Sequence, residues 1–222
     1  MKENAVILFT RIPVPGKTKT RLMPLLSAKE CCHLHRAFLS DIYNTVGKAD
    51  LDCSIYVCYH PDGDVNELIA LLPGALSYTP QVGESLGDKM HNAICDVLNN
   101  GYKKCLLIGS DVPLLKGSTI SEAFNILEDS DIVICPTEDG GYYLIGMKEP
   151  CPEVFRLDEF GVSSVLEKTI AAAHGAGKSC TLGTGTFDID EPEDLKKLVI
   201  ALESESPDIC KETRKTLINF PF

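Results

Sequence analysis

Four cations and no acid fall between residues 11 and 21, in the stretch RIPVPGKTKTR: Arg11, Lys17, Lys19 and Arg21. The chain around them is acidic, with a formal net charge of -11. Such an island suits a polyphosphate, because gathered cations offset its charge and stabilise the charge that develops on a leaving pyrophosphate. A solvated basic loop is the plainer alternative. Gly16, Lys17 and Thr18 match the second half of a phosphate-binding P-loop, but the first glycine of that motif would fall at Arg11. Pro13 and Pro15 also remove two amide donors, so the wrapping nest of backbone N–H groups cannot form. The expectation is that Lys19 and Arg21 hold phosphates as side chains, with Arg11, Gly16 and Lys17 beside the nucleotide.

Polyphosphate chemistry calls for a hard metal, and Mg2+ (or Mn2+) takes one or two carboxylates plus phosphate oxygens and water. Asp111 ends the apolar run CLLIGS, with Pro113 stopping the strand behind it. Asp190, in FDIDEPEDL, is the second candidate. Asp188 lies two residues earlier on an extended segment and would point the same way. Each has a structural alternative: Asp111 as a turn-initiating residue, and Asp190 as a helix N-cap with Glu193 three residues on.

Two glycine-marked loops complete the candidate site. Asp139, Gly140 and Gly141 precede the run YYLIG, either as a tight turn or as bare backbone that a ribose or sugar can approach. Gln81, Gly83 and Gly87 stand ahead of a helix whose free amides and polar side chains could meet a base edge or an anion. The ten cysteines lack the paired spacings of zinc sites and read as buried, reduced thiols. Only Cys31 and His35 share a helical face, a weak metal pattern.

These residues must be positioned by alternating strands and helices. Strands are expected at 5–9, 53–59, 105–109, 131–135 and 142–146. Helices are expected at 27–46, 65–72, 85–98, 118–127, 163–173 and 192–203, the first opened by a Ser27–Glu30 capping box. Continuous apolar strands between amphipathic helices predict an α/β protein, a mainly parallel sheet covered by helices on both faces. Ligands of such sheets bind beyond the carboxyl ends of the strands, where the basic loop, Asp111 and the Asp139 loop all fall. We read one domain over 1–203 and a polar C-terminal tail over 204–222 that ends in LINFPF. The acidic charge argues against nucleic acid as a partner. No run reaches the roughly 18 apolar residues that span a bilayer, and the N-terminus lacks the pattern of a signal peptide, so a cytoplasmic location is expected. The oligomeric state is left open.

Taken in order, RIPVPGKTKTRL, QVGESLGDKM, GSDVPLL, EDGGYYLIG and FDIDEPEDL resemble a family of uncharacterised bacterial transferases with the nucleotide-diphospho-sugar transferase (GT-A-like) fold. The likeness runs from about position 5 to 200. The K-T-R-L stretch is also similar to 2-phospho-lactate guanylyltransferases. G-S-D-x-P and D-I-D-x-P-E-D-L are similar to motifs of molybdenum-cofactor guanylyltransferases and sugar-acid cytidylyltransferases. The resemblance implies a single three-layer domain with a mixed, mainly parallel sheet. It also implies Asp111 and Asp190 as metal carboxylates, and Lys19 and Arg21 on the triphosphate. Two departures stand out: the opening loop lacks the Gly-Gly pair of the molybdenum-cofactor enzymes, and Lys89 replaces an expected arginine.

Three activities fit. The leading one is Mg2+-dependent nucleotidyl transfer from a nucleoside triphosphate to a small phosphorylated or hydroxyl acceptor, with release of pyrophosphate. Glycosyl transfer from a nucleotide sugar is second, because the strand end at Gly109-Ser110-Asp111 lacks the D-x-D pair that chemistry uses. A nucleotide-binding protein without turnover is third.

Overall fold

A computed structural model describes residues 2–48 and 52–220. The chain opens with β1 (Lys2–Arg11), then α1 (Ala28–Lys48), β2 (Cys53–His60), α2 (Val65–Leu71) and β3 (Ser77–Pro80). It continues through α3 (Leu86–Asn99), β4 (Tyr102–Gly109), α4 (Gly117–Asp129), β5 (Ile132–Pro136) and β6 (Tyr142–Met147). It ends with α5 (Val165–Gly175), β7 (Cys180–Leu182), α6 (Pro192–Ser204) and α7 (Lys211–Leu217). The Ser27–Glu30 capping box forms as expected. The Ser27 amide donates to Glu30 Oε2 at 2.7 Å, and the Glu30 amide donates to Ser27 Oγ at 3.3 Å.

The seven strands form one sheet in the order β3-β2-β1-β4-β6-β5-β7. Only β6 runs against its neighbours; the other pairings are parallel. Strands β1, β2 and β3 step outward in one direction and β4 turns back to the other side of β1. The sheet therefore has its switch point between β1 and β4, where crossovers diverge and leave a crevice at the carboxyl edge.

Alternation along β1 divides the core. Val6 and Leu8 pack with Leu39 and Ile42 of α1, Leu68 of α2 and Phe124 of α4 on one face. Ala5 and Ile7 pack with Ile94 of α3 and Ala173 of α5 on the other. These are the three layers expected from the apolar runs. A third cluster lies beneath the basic loop, where Leu22, Phe38, Ile189, Leu198, Cys210 and Leu217 come together. Through it, α7, which falls in the 204–222 segment, packs against α1. Asp41, buried on α1, caps α7 by accepting from the amides of Glu212 and Thr213 at 3.0 and 2.8 Å. All ten cysteines are free and seven of them are buried, so they serve as small apolar side chains.

Candidate active site

The basic loop begins with a turn. Pro15 supplies a fixed φ, Gly16 follows at φ 78°, and the Lys17 amide donates back to Val14 O at 3.0 Å. A Cβ on Gly16 would meet nothing within 4 Å, so its backbone angle alone explains the glycine. The Gly-Lys-Thr string is thus a proline–glycine turn, and Lys17 Nζ donates to Asp62 O at 3.1 Å. Arg11 reaches the same loop, donating to Asp62 Oδ2 at 2.7 Å.

Lys19 then takes a left-handed conformation, φ 51° and ψ 39°, ahead of a 3₁₀ turn at Thr20–Leu22. That backbone turns Lys19 inward while Leu22 anchors in the third cluster. The Lys19 side chain is only 4% exposed. Its Nζ lies 2.6 Å from Asp111 Oδ1 and 3.4 Å from Asp190 Oδ1, and it also donates to Ile189 O. Phe38 lies below it, with the ring centroid 5.5 Å away. Three donors therefore meet three oxygens over an aromatic face. The Lys19 ammonium is thus paired with both carboxylates at the rim of the site. Arg21 is 67% exposed and touches Asp190 and Glu191 only loosely, at 3.6 Å each.

The two carboxylate loops are joined through their backbones, with the Ile189 amide donating to Asp111 O at 2.9 Å. Burial works against ionisation of Asp111, but Lys19, His35 and Ser110 outweigh it and hold the carboxyl below its usual range. Asp190 is not a helix cap. Asp194 Oδ2 accepts from the amides of Asp190 and Glu191 at 3.1 and 2.8 Å, so α6 begins after Glu191 and the Asp190 carboxylate stays available. Asp188 behaves differently. Burial, reinforced by Asp139, Asp190 and Asp111, pushes its carboxyl up to about 6. Among the described residues, no three carboxylate, histidine or cysteine side chains gather closely enough to form a metal cage. The expected trio of Asp111, Asp188 and Asp190 is therefore not drawn together as a closed ligand set. Asp111 and Asp190, bridged by one ammonium, still offer the hard oxygen pair that Mg2+ takes when phosphate completes its shell.

Sequence reasoning paired His35 only with Cys31 as a weak metal pattern and did not place it beside Asp111. It lies buried on α1, between Leu34 and Phe38, and reads as a core residue. Its Nε2 lies 3.1 Å from Arg11 O and 3.3 Å from Thr10 Oγ1, while Nδ1 has no partner among the described residues. Burial, with Lys19 and Arg11 nearby, drives its pKa down to about 4 against the pull of Asp111.

Two hollows meet at Asp111. One, about 160 Å³, is lined by Thr18, Lys19, Arg21, His35 and Asp190. The other, about 380 Å³, is lined by Phe9, Thr10, His60, Gln81, Leu86 and Lys89. Arg11, Ser110 and Asp111 line both. Gly83 and Gly87 are not among the residues that line either hollow. A Cβ on Gly83 would come within 2.6 Å of Asp88 Cβ, and one on Gly87 would collide with Phe155 O, so both glycines serve packing around α3. The Asp139 loop is a self-contained turn. Asp139 Oδ1 accepts from Thr137 Oγ1 at 2.5 Å and the Gly141 amide at 2.9 Å, and Gly140, at φ 88°, abuts the Ser163 carbonyl.

The profile of a bacterial family described as an uncharacterized protein conserved in bacteria (DUF2064) matches residues 44–162. The chain belongs to that family. Its relatives include 2-phospho-L-lactate guanylyltransferases. That of Halorubrum lacusprofundi is 27% identical over 85% of this chain and 82% of its own length, and that of Haloarcula marismortui is 25% identical over 91% and 90%. A phosphoenolpyruvate guanylyltransferase of Chloroflexus aggregans is 25% identical over 57% and 62%. Among solved structures, a protein of Desulfovibrio desulfuricans assigned to the nucleotide-diphospho-sugar transferases superposes with a TM-score of 0.88. It is 29% identical and covers 97% of this chain and 95% of that one. This family member thus has the nucleotide-diphospho-sugar transferase fold, and its relatives favour a nucleotidyltransferase over a glycosyltransferase. Among the described residues, no helix is long and apolar enough to cross a membrane.

Proposed function

We propose that the protein transfers a nucleotidyl group from a nucleoside triphosphate to a small phosphorylated acid and releases pyrophosphate. The observation that carries this reading is the pair Asp111 and Asp190, held by Lys19 at the switch point of the sheet beside two adjoining hollows. The guanylyltransferase relatives support guanine as the base. The substrates in their names, 2-phospho-L-lactate and phosphoenolpyruvate, support a phosphorylated carboxylic acid as the acceptor.

In this reading an acceptor phosphate oxygen attacks the α-phosphorus in line, the bond to the β-phosphate oxygen breaks, and pyrophosphate departs. The reaction asks for positioning and charge stabilisation more than covalent chemistry by the protein. Asp111 and Asp190 would hold Mg2+ (or Mn2+), which neutralises phosphate charge when bound. Lys19 fixes the two carboxylates. Arg21, exposed and loosely held, is the cation free to follow the leaving pyrophosphate. Arg11 and Lys89 line the larger hollow as further positive charge for the phosphates.

The test is pyrophosphate release from GTP with Mg2+ and either 2-phospholactate or phosphoenolpyruvate. We expect release that depends on both metal and acceptor and falls at least a hundredfold in Asp111→Asn. Turnover of nucleotide sugars without release from any triphosphate would overturn the reading.

A further inference from the structure

Gln81 lines the larger hollow, and its side-chain amide is held in one orientation. Its Nε2 donates to Thr10 O at 3.0 Å and to Cys58 O at 3.4 Å, bridging the carboxyl ends of β1 and β2. A free glutamine can rotate its amide by half a turn and offer either a donor or an acceptor. Here rotation would set the amide oxygen against two carbonyl oxygens and strand the nitrogen. Oε1 accepts no hydrogen bond from any described residue. Gln81 is thus a fixed acceptor.

The loop that carries it is equally constrained. The Gln81 amide donates to Tyr59 O at 2.8 Å, and Asn92 Nδ2 donates to Val82 O at 2.9 Å. Ser85 caps α3 in a reciprocal pair with Asp88. The hollow also has apolar walls, Phe9 and Leu86. Leu86 is left exposed at the start of α3, where a flat ring could cover it. A neutral polar group of set direction, with Phe9 and Leu86 in an otherwise polar and charged lining, suits the edge and face of a base beside a charged phosphate chain.

We infer that Gln81 Oε1 reads the Watson–Crick edge of the base and selects guanine over adenine. Guanine presents a hydrogen at N1, which an acceptor takes. Adenine presents a lone pair at N1, which meets the Gln81 oxygen unfavourably. Adenine carries its edge hydrogens at N6, where guanine has O6, so a base held in the same position leaves the Gln81 oxygen unpaired. This inference rests on the nucleotidyl-transfer reading, whose triphosphate it specifies.

The test is equilibrium binding of GTP, ATP and 1-methyl-GTP to the unmodified protein and to Gln81→Met, read by calorimetry. The unmodified protein should bind GTP at least tenfold more tightly than ATP and than 1-methyl-GTP, whose N1 hydrogen is replaced by methyl. In Gln81→Met the GTP affinity should fall about tenfold while ATP changes less than twofold, so the preference collapses. Equal binding of GTP and 1-methyl-GTP by the unmodified protein would overturn the inference while leaving nucleotidyl transfer intact. That comparison needs no folded variant. A full GTP preference retained in Gln81→Met would overturn it too. Failure to bind any of the three nucleotides would overturn the underlying reading as well.

Discussion

The Lys19 ammonium lies 2.6 Å from Asp111 Oδ1 and 3.4 Å from Asp190 Oδ1, so one nearly buried cation holds two loops almost eighty residues apart in sequence. Replacing it with methionine keeps the stem over Phe38 but leaves two carboxylates facing each other. Breaking a fully buried pair costs about 3–5 kcal/mol. The carboxylates here are about two-fifths exposed, so Lys19→Met should cost about 2 kcal/mol at pH 7. Added Mg2+ should recover more stability in the variant than in the unmodified protein, because it enters a pair no longer neutralised. Urea unfolding with and without Mg2+ measures both effects. An unchanged midpoint would sink the bridging role.

His35 gives a pH signature of definite sign. Its folded pKa of about 4 lies below the ordinary 6.5, so between these values only the unfolded chain takes the proton. Its contribution to stability is complete above pH 6.5 and is lost as pH falls towards 4, a change of about 3 kcal/mol. Asp188 acts in the opposite sense. With its folded pKa raised to about 6 from 3.8, its ionised form weighs on the native state above pH 6, and the weight lifts as pH falls towards 3.8. His35→Gln should flatten the acid loss between pH 6.5 and 4. Asp188→Asn should stabilise the protein at pH 7 and leave the acid loss steeper. Unfolding midpoints across that range test both signs, and an unchanged pH profile in either variant would contradict its assignment.

The strands were legible because their apolar runs are long and bounded. Val6 to Leu8 and Leu106 to Ile108 are buried on both faces and leave no polar alternation to confuse them. The edge strands β3 and β7 were not legible. Ser77–Pro80 and Cys180–Leu182 are short, partly exposed and end in polar surroundings, so their pairing is decided by the neighbouring strand. Helix α7 was hidden for a similar reason: KETRKTL has little apolar periodicity, and its place is fixed by the distant cap from Asp41. In the site, residue types marked Asp111 and Lys19, which the fold brings together, but could not tell which partner Lys19 would choose. That depends on a left-handed backbone angle at a non-glycine residue, which sequence pattern does not announce.

Asp194 tests how Asp190 is kept free. Its carboxylate accepts from the Asp190 and Glu191 amides and so fixes the chain entering α6, with the Asp190 side chain off the helix end. Asp194→Ala should cost about 1 kcal/mol, the usual effect of losing a cap. It should also let the Asp190 carboxylate turn towards the helix end, lowering Mg2+-dependent activity several-fold. Urea unfolding and steady-state rates together check the prediction; a stability loss with unchanged metal dependence would separate α6 from the site.

Arg21 and Lys19 sit two residues apart and should fail in different ways. Arg21 is two-thirds exposed and its two ion contacts are long, so Arg21→Ala should shift stability by less than about 0.5 kcal/mol. A guanidinium that meets charge only as pyrophosphate leaves acts in the transition state and not on the ground state. Arg21→Ala should therefore lower kcat about a hundredfold with KM for the triphosphate nearly unchanged. Arg21→Lys should recover only part of the rate, since an ammonium cannot make the paired contacts of the planar group. Steady-state kinetics on the three proteins decides the point. A rise in KM at constant kcat would instead make Arg21 a plain binding residue and move the leaving-group role to Arg11 or Lys89.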